Sequence, residues 1–343
     1  MIISWGFMVK KYILSHLSST FFSIFIPLFT IASVIFLVKI SSYTTIITLN
    51  SYEMFKLYLF SLPQLLFFTL PITFVVSVTM TLYKLSQDNE LLVLFSLGKS
   101  PIDILKMILS SAILLSIILL FNYIYAMPYI KNISENFIQY KKAEAKFNIS
   151  ASEFGHNFGD WMLFIKESDG HRFKDIVLYN KELQNDIIIK ADDAVLINDS
   201  GYLKLELNSG ISYSKDKNEL KAAMFQKAHI NDKMKSDENR FTTINNYWNS
   251  DERSDYKTEK IISQTLISIF PLISLFLIFA MGIVHSRNQK RWIYLWIFIS
   301  ITIYYTIIST AQTMHNFNAI WIVSLLWLAI GYGFYRVLVG RRF

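Results

Sequence analysis

The sequence predicts a polytopic α-helical membrane protein with six transmembrane helices and an antiparallel β jelly-roll domain inserted between helices three and four. Three observations lead to this prediction. Six apolar runs are each long enough to cross a bilayer. A polar segment of more than a hundred residues separates the third run from the fourth, and its apolar residues alternate at period two. Charged residues make up only 17% of the chain, against roughly 25% in soluble domains.

The apolar runs define two membrane halves, residues 1–130 and 261–343. The first run follows Lys10 and Lys11 and is too long for the core of a signal peptide, so we interpret it as a retained span. Pro63 and Pro71 lie in the second run and are expected to kink it without ending it. The six spans are predicted at about 17–38, 57–83, 101–127, 261–284, 292–311 and 319–338.

Residues 131–260 are predicted to form the β domain and a linker that returns to the membrane over about 231–259. Leu203, Leu205 and Leu207 alternate with polar residues, as on a half-buried strand. The sequences Asp199-Ser200-Gly201 and Asn208-Ser209-Gly210 are typical of turns and are expected at the two ends of this strand. Further strands are predicted at 161–166, 175–179, 187–197 and 220–230. Short strands with regular turns favour a sandwich or jelly roll.

The orientation follows from the basic residues near the ends of the spans, which concentrate on the cytoplasmic side. With six spans, one side of the membrane has only Lys39 and Lys56 in its short loops. The other side collects Lys10, Lys11, Lys84, Lys99, Arg287, Lys290, Arg291, Arg336, Arg341 and Arg342. Both termini are therefore expected in the cytoplasm, and the β domain in the periplasm.

A short cytoplasmic helix is predicted between spans two and three, within residues 86–98. Ser86 suits its N-cap, and Gly98 suits the position after its C-cap. The run Ser100-Pro101-Ile102-Asp103 then predicts a new helix start, with a capping serine and an acid at the third position. The short helix has two interpretations: a connector lying on the membrane, or a coupling helix whose Glu90 docks into a partner protein.

Ionisable residues are nearly absent from the interiors of the spans, although transporters driven by ions use such residues as relays. Energy for any uphill transport is therefore expected from a partner. Lys39, near the outer end of span one, has two readings as well. Its side chain either extends to the lipid headgroups or contacts a lipid phosphate at the mouth of a cavity.

Nothing in the sequence predicts an enzyme or a bound cofactor. The chain contains no cysteine, and its charge of +7 is not arranged as a nucleic-acid-binding surface. Gly98-Lys99-Ser100 is not a P-loop, because Val93 occupies the position of the first glycine. His156, Asp160 and His171 lack the spacing of a metal site or a catalytic triad.

The layout and several short motifs resemble the lipopolysaccharide-export permeases, the LptF/LptG (YjgP/YjgQ) family. The motifs are Lys11-Tyr12-Ile13-Leu14 before the first span, Asn89 to Gly98 between spans two and three, and Leu205 to Gly210 in the β domain. The resemblance implies that Glu90, Leu94 and Gly98 couple the permease to an ATPase. It also implies lipid contacts, for which the candidates are Lys39, Leu203, Leu205 and Leu207.

The resemblance further implies that ATP hydrolysis in a cytoplasmic ATPase dimer drives extraction of lipopolysaccharide from the inner membrane. The lipid would enter between spans one and five of two paired, paralogous permeases. It would then pass through the β domain, beside a single-span periplasmic β-domain protein, to a periplasmic β-bridge. Two alternatives stay open on the residues alone: the permease of another lipid- or lipoprotein-extracting ABC system, and a non-transporting scaffold that presents a β domain.

Overall fold

A computed structural model describes residues 2–45, 47, 49–147, 156–158, 161–169, 172–180, 186–199, 202–216, 219–231, 254–284 and 292–340. The chain divides into two compact units. The first consists of Met1–Leu37, Ser61–Tyr129 and Thr243–Phe343, and the second consists of Val38–Phe60 and Ile130–Thr242. Nine α-helices and six strands are described. The helices are α1 Ile2–Ser41, α2 Ser51–Gln87, α3 Glu90–Ser96, α4 Pro101–Phe121, α5 Met127–Phe147, α6 Ser254–Ile273, α7 Leu275–Gly282, α8 Ile293–Gln312 and α9 Asn318–Leu338.

The predicted six spans are confirmed by the lengths and compositions of these helices. Five helical segments are long and apolar enough to cross a membrane, and α6 and α7 together form a sixth that bends by 45°. The helices extend past the apolar runs. A π-helical turn over Asn122–Ala126 joins α4 to α5, so the third span continues as a helix to Phe147. The segment predicted as the β domain and linker, 131–260, therefore begins within α5 and ends within α6. Polar residues mark the end of an apolar run, but they do not by themselves end a helix.

The bend between α6 and α7 is a feature that the apolar pattern did not predict. Pro271 lies inside the last turn of α6 and has no backbone N–H to donate. At the bend, the Trp327 indole N–H donates to the Ser274 hydroxyl at 3.0 Å. One turn before Pro271, the Tyr304 hydroxyl donates to the carbonyl of Leu266 at 2.8 Å. Side chains from α8 and α9 thus provide hydrogen bonds at the bend where an apolar medium would provide none.

Helix α2 runs without interruption through Pro63 and Pro71, so the expected kinks do not divide it. Several of its buried hydroxyls bond within the helix, because Thr69, Thr73 and Thr79 each donate to the carbonyl four residues earlier. Among the described residues, the buried Thr81 hydroxyl has no such partner. The side-chain amide of Asn122 donates to the carbonyl of Pro63 at 3.1 Å. Apart from Thr81, these polar side chains of the helical unit therefore donate hydrogen bonds to backbone carbonyls.

The second unit contains one antiparallel sheet in which each strand pairs with the next along the chain. Its strands are β1 His156–Phe158, β2 Trp161–Asp169, β3 Arg172–Asn180, β4 Asp186–Asp199, β5 Tyr202–Asp216 and β6 Glu219–Asn231. The predicted insertion of an antiparallel β domain between the third and fourth spans is confirmed. The prediction specified a jelly roll, whereas the described strands form a single meander in chain order, with no Greek-key crossover among them. One face of the sheet forms an apolar core that includes Leu163, Phe173, Ile176, Leu178, Ile189, Leu205 and Leu207.

Inside the second unit, the beginning of α2 is fastened to α5. The Lys141 ammonium and the Glu53 carboxylate form a mostly buried ion pair at 2.6 Å. Beside it, the Lys56 ammonium lies 5.0 Å from the centre of the Phe137 ring. Lys56, which the sequence suggested only as a charge in an outer loop, is thus part of this contact.

The expected turn at Asn208-Ser209-Gly210 is wrong, because β5 continues through all three residues. Ser209 has a positive φ of 50°, and Asp175 in β3 has the same value. The pairing places Asp175 and Ser209 in one cross-strand row with Asp192. The alternation of buried side chains shifts by one residue at this row, for example between Phe173 and Ile176. The turn-forming residues therefore shift the alternation of buried side chains within a continuous strand, and the pairing register is the same on both sides, without the extra residue of a β-bulge.

We predict that Gly210→Ala destabilises the sheet by about 1–3 kcal/mol through overpacking. A Cβ at Gly210 would collide with the carbonyl oxygen of Lys190 and with the Phe225 ring. Gly333→Ala is the matched control, because a Cβ there meets nothing within 4 Å. Alanine is also the better helix former, so the control should be neutral or stabilising. Thermal unfolding of the detergent-solubilised variants measures both, and equal midpoints would contradict the packing at Gly210.

Candidate functional site

The candidate site is the segment between α2 and α4, in which α3 spans Glu90–Ser96. The prediction of Ser86 as its N-cap is wrong. Ser86 lies in the last turn of α2, and α3 begins after Asn89, which adopts a left-handed conformation with φ 59°. Asparagine tolerates this conformation better than most residues, so it can reverse the chain between two helices. The helix is consequently shorter than the predicted segment, 86–98.

Ser86 instead fastens the end of α2 to the segment after α7. Its hydroxyl donates to the carbonyl of Gly282 at 3.2 Å and accepts from the backbone N–H of Val284 at 3.3 Å. Gly282 permits this approach, since a Cβ there would lie 2.7 Å from the Cβ of Leu82. The end of α2 is therefore held in place directly before the chain enters α3.

The C-terminal end of α3 and the start of α4 confirm the predicted caps. Gly98 has φ +85°, and its N–H donates to the carbonyl of Phe95. The N–H of Lys99 donates to the carbonyl of Leu94, which completes a Schellman motif. Ser100 and Asp103 form a capping box with Pro101 at the first helical position. Local hydrogen bonds thus fix both boundaries of the connection.

Helix α3 has one face on the helical core and one face open. Leu91 is buried, and Leu94 and Phe95 are partly buried against the core. The exposed fractions of Leu92, Val93 and Leu97 are 49%, 54% and 56%. Three neighbouring exposed apolar side chains outside a long apolar run are typical of a surface that contacts another protein or the membrane. Leu94, a predicted coupling residue, points largely into the core instead.

Glu90, at the first position of α3, accepts a hydrogen bond of 2.6 Å from the hydroxyl of Tyr12 in α1. The Tyr12 ring also lies edge-on to His16 at 4.5 Å between centroids. A hydroxyl donating to a carboxylate forms a short, charge-assisted bond. Sequence reasoning singled out Glu90 and the Tyr12 motif separately and missed their contact, because nothing local in the chain indicates it.

The candidate lipid contacts fall in the second unit. Leu205 and Leu207 are fully buried in the apolar face of the sheet, and the side chain of Leu203 lies outside the described residues. Between the two leucines, Glu206 faces the other side, where Lys227 lies 3.1 Å from its carboxylate. That hydrogen bond lowers the pKa of the Glu206 carboxyl below its usual range. Lys39 is exposed in the last turn of α1.

The histidines set aside in the sequence give no metal site that the structure describes. The side chain of His156, in β1, is outside the described residues, as are Asp160 and His171. Among the residues described, no group of three or more His, Cys, Asp or Glu side chains could hold a metal ion.

Six candidate spans interrupted by an antiparallel β domain define a polytopic membrane protein of the kind that forms the membrane subunit of a transporter. The family model for the lipopolysaccharide export system permease LptF/LptG matches residues 11–337. No curated protein matches the chain. Since the family match covers nearly the whole sequence, the chain belongs to the LptF/LptG family. It is a multi-pass inner-membrane protein and a permease component of lipopolysaccharide export.

We predict that Ser86→Ala destabilises the helical unit by about 0.5–1.5 kcal/mol. The substitution removes a donor to Gly282 and leaves the N–H of Val284 without this acceptor. Ser110→Ala is the control, because the Ser110 hydroxyl donates only locally, to the carbonyl of Met107 three residues earlier. Thermal unfolding in detergent should show a lower midpoint for Ser86→Ala alone. A midpoint equal to that of Ser110→Ala would rule out the bridging role.

Proposed function

We propose that this chain is the permease subunit of an ATP-driven transporter that extracts lipopolysaccharide from the inner membrane and delivers it to a periplasmic β-bridge. The family match supports the substrate class. The observation that most directly supports ATP-driven action is α3, a short helix with a Schellman motif at its C-terminal end, an exposed apolar face and an acid at its first position.

The open face of α3 suits a groove in a partner ATPase. Leu92, Val93 and Leu97 would lose water on docking, which favours binding by about 25 cal/mol per Å² of apolar area. Glu90 would accept from a basic side chain of the partner at the edge of this groove, and the ion pair would specify orientation. The near absence of ionisable residues in the spans agrees with an external energy source.

We place α3 and both chain termini in the cytoplasm and the β domain in the periplasm. The support is the distribution of Lys and Arg around the spans, which follows the positive-inside rule. This arrangement sets α3 on the side where ATP is available. It sets the sheet on the side toward which the lipid travels.

The β domain supplies a path for the acyl chains. Its apolar face, which includes Leu205 and Leu207, would separate or open so that lipid tails replace contacts among its own side chains. The lipid phosphates would pass Lys39 on their way. Strand β6 is at one edge of the described sheet and β1 at the other. A strand from the next protein can extend such an edge, which provides a continuous sheet for transfer.

The assembly that we propose contains a paralogous permease, a cytoplasmic ATPase dimer, a single-span periplasmic β-domain protein and the periplasmic bridge protein. Two permeases would enclose the lipid between them, with span one of one facing span five of the other. The permease itself binds no nucleotide in this proposal.

We predict that Glu90→Lys reduces copurification of the ATPase by tenfold or more, because the reversed charge repels a basic group of the partner. Glu135→Lys makes the same charge change on an exposed acid of α5, whose ion pair with Lys131 is solvated, and should retain the ATPase. Quantitative mass spectrometry of tagged chain from native membranes measures both. Full recovery with Glu90→Lys would contradict docking through this residue.

The path along the sheet is tested with a photocrosslinking residue placed at two neighbouring isoleucines of β4. Ile187 packs against the apolar face, whereas Ile188 is exposed on the opposite face. Crosslinking to lipopolysaccharide is expected from Ile187 and several-fold less from Ile188, since only the apolar face excludes water from acyl chains. Stronger capture from Ile188 would place the lipid on the wrong face for this proposal.

A further inference from the structure

Tyr12 contributes the single described side-chain hydrogen bond between α1 and α3. Its hydroxyl is 2.6 Å from one carboxylate oxygen of Glu90, and 42% of the Tyr12 residue is exposed. A carboxylate can accept about four hydrogen bonds, two at each oxygen. Glu90 can therefore remain bonded to Tyr12 while its other acceptor sites receive a partner's donor.

The two parts of α1 are packed very differently. Val9, Ile13 and Leu17, one helical turn apart, are buried in the core of the helical unit. In the most apolar stretch of the same helix only 6% of the residues are buried, and Val34 is among the exposed ones. Helix α1 continues through Pro27 without interruption, so a displacement at its packed end is carried along the helix to the exposed part.

We propose that Tyr12 is a positioning residue. Through its hydrogen bond to Glu90, Tyr12 transmits the movement of α3 on ATPase docking to α1, and so sets the tilt of the first span. The inference rests on the proposed function, since it takes α3 as the site where the ATPase binds. When the partner moves α3, the hydroxyl–carboxylate bond makes the packed end of α1 follow. Without the hydroxyl, the ATPase still docks and hydrolyses ATP, but α1 no longer follows α3.

The chain is suited to a direct test because it contains no cysteine. Val34→Cys on α1 and Ile322→Cys on α9, both exposed, would accept spin labels at two defined places in the helical unit. The full complex is purified from native membranes and reconstituted in lipid. Electron–electron double resonance then gives the label-to-label distance without nucleotide and with ATP plus vanadate.

The variant is Tyr12→Phe, which keeps the ring and removes only the hydroxyl. Tyr52→Phe makes the same change at an exposed tyrosine near the start of α2 and is the control. We expect a nucleotide-dependent distance change in the unsubstituted complex and in Tyr52→Phe, and less than half of that change in Tyr12→Phe. ATPase recovery and ATP hydrolysis should stay within twofold in all three. Lipopolysaccharide released per ATP should fall severalfold in Tyr12→Phe, because the charge-assisted hydrogen bond that links α1 to α3 is lost.

The outcomes separate this inference from the proposed function. If the unsubstituted complex contains no ATPase or shows no response to ATP, the proposed function is contradicted and the inference with it. If the unsubstituted complex responds and Tyr12→Phe responds equally, only the role of Tyr12 is overturned. Thermal unfolding checks that Tyr12→Phe is folded. Should it aggregate, Tyr12→Leu, which also lacks a hydrogen-bond donor, is measured by the same criteria.

Discussion

The lack of water in the apolar layer of a membrane is the constraint on which the helical unit depends. Every polar group there needs a partner from the protein itself. The hydroxyls of Thr69, Thr73 and Thr79 in α2 therefore donate to carbonyls of the same helix, and Asn122 donates to Pro63. At the bend between α6 and α7, hydrogen bonds from Trp327 and Tyr304 serve the same need. The bend is thus a packed feature of the helical unit.

Features that depend on neighbouring residues could be predicted from the sequence. Gly98 and the Ser100–Asp103 capping box are confirmed, because the groups that bond are at most a few residues apart. The six spans and the inserted antiparallel sheet are confirmed for a similar reason, since hydrophobic periodicity reports the environment of each element. Cap chemistry and apolar period together placed the candidate segment between α2 and α4.

Two kinds of feature could not be predicted: contacts between residues that are distant in the sequence, and residue types that suit two different structural roles. Ser86 has good capping chemistry, yet its partner Gly282 is 196 residues away in the chain. Tyr12 and Glu90 are separated by 78 residues. Asn208-Ser209-Gly210 suits a turn, but here the tolerance of positive φ changes the pleat within β5. In each case the residue type was informative and the tertiary contact decided its role.

The central claim is that this permease moves lipopolysaccharide with energy from a partner that docks on α3. The most direct test is purification of the tagged chain from its native membrane in mild detergent, followed by mass spectrometry of the bound proteins and lipids. The account predicts recovery of a second, paralogous permease, an ATPase and lipopolysaccharide in one complex. Recovery of the chain alone, or with lipoproteins and no ATPase, would contradict it.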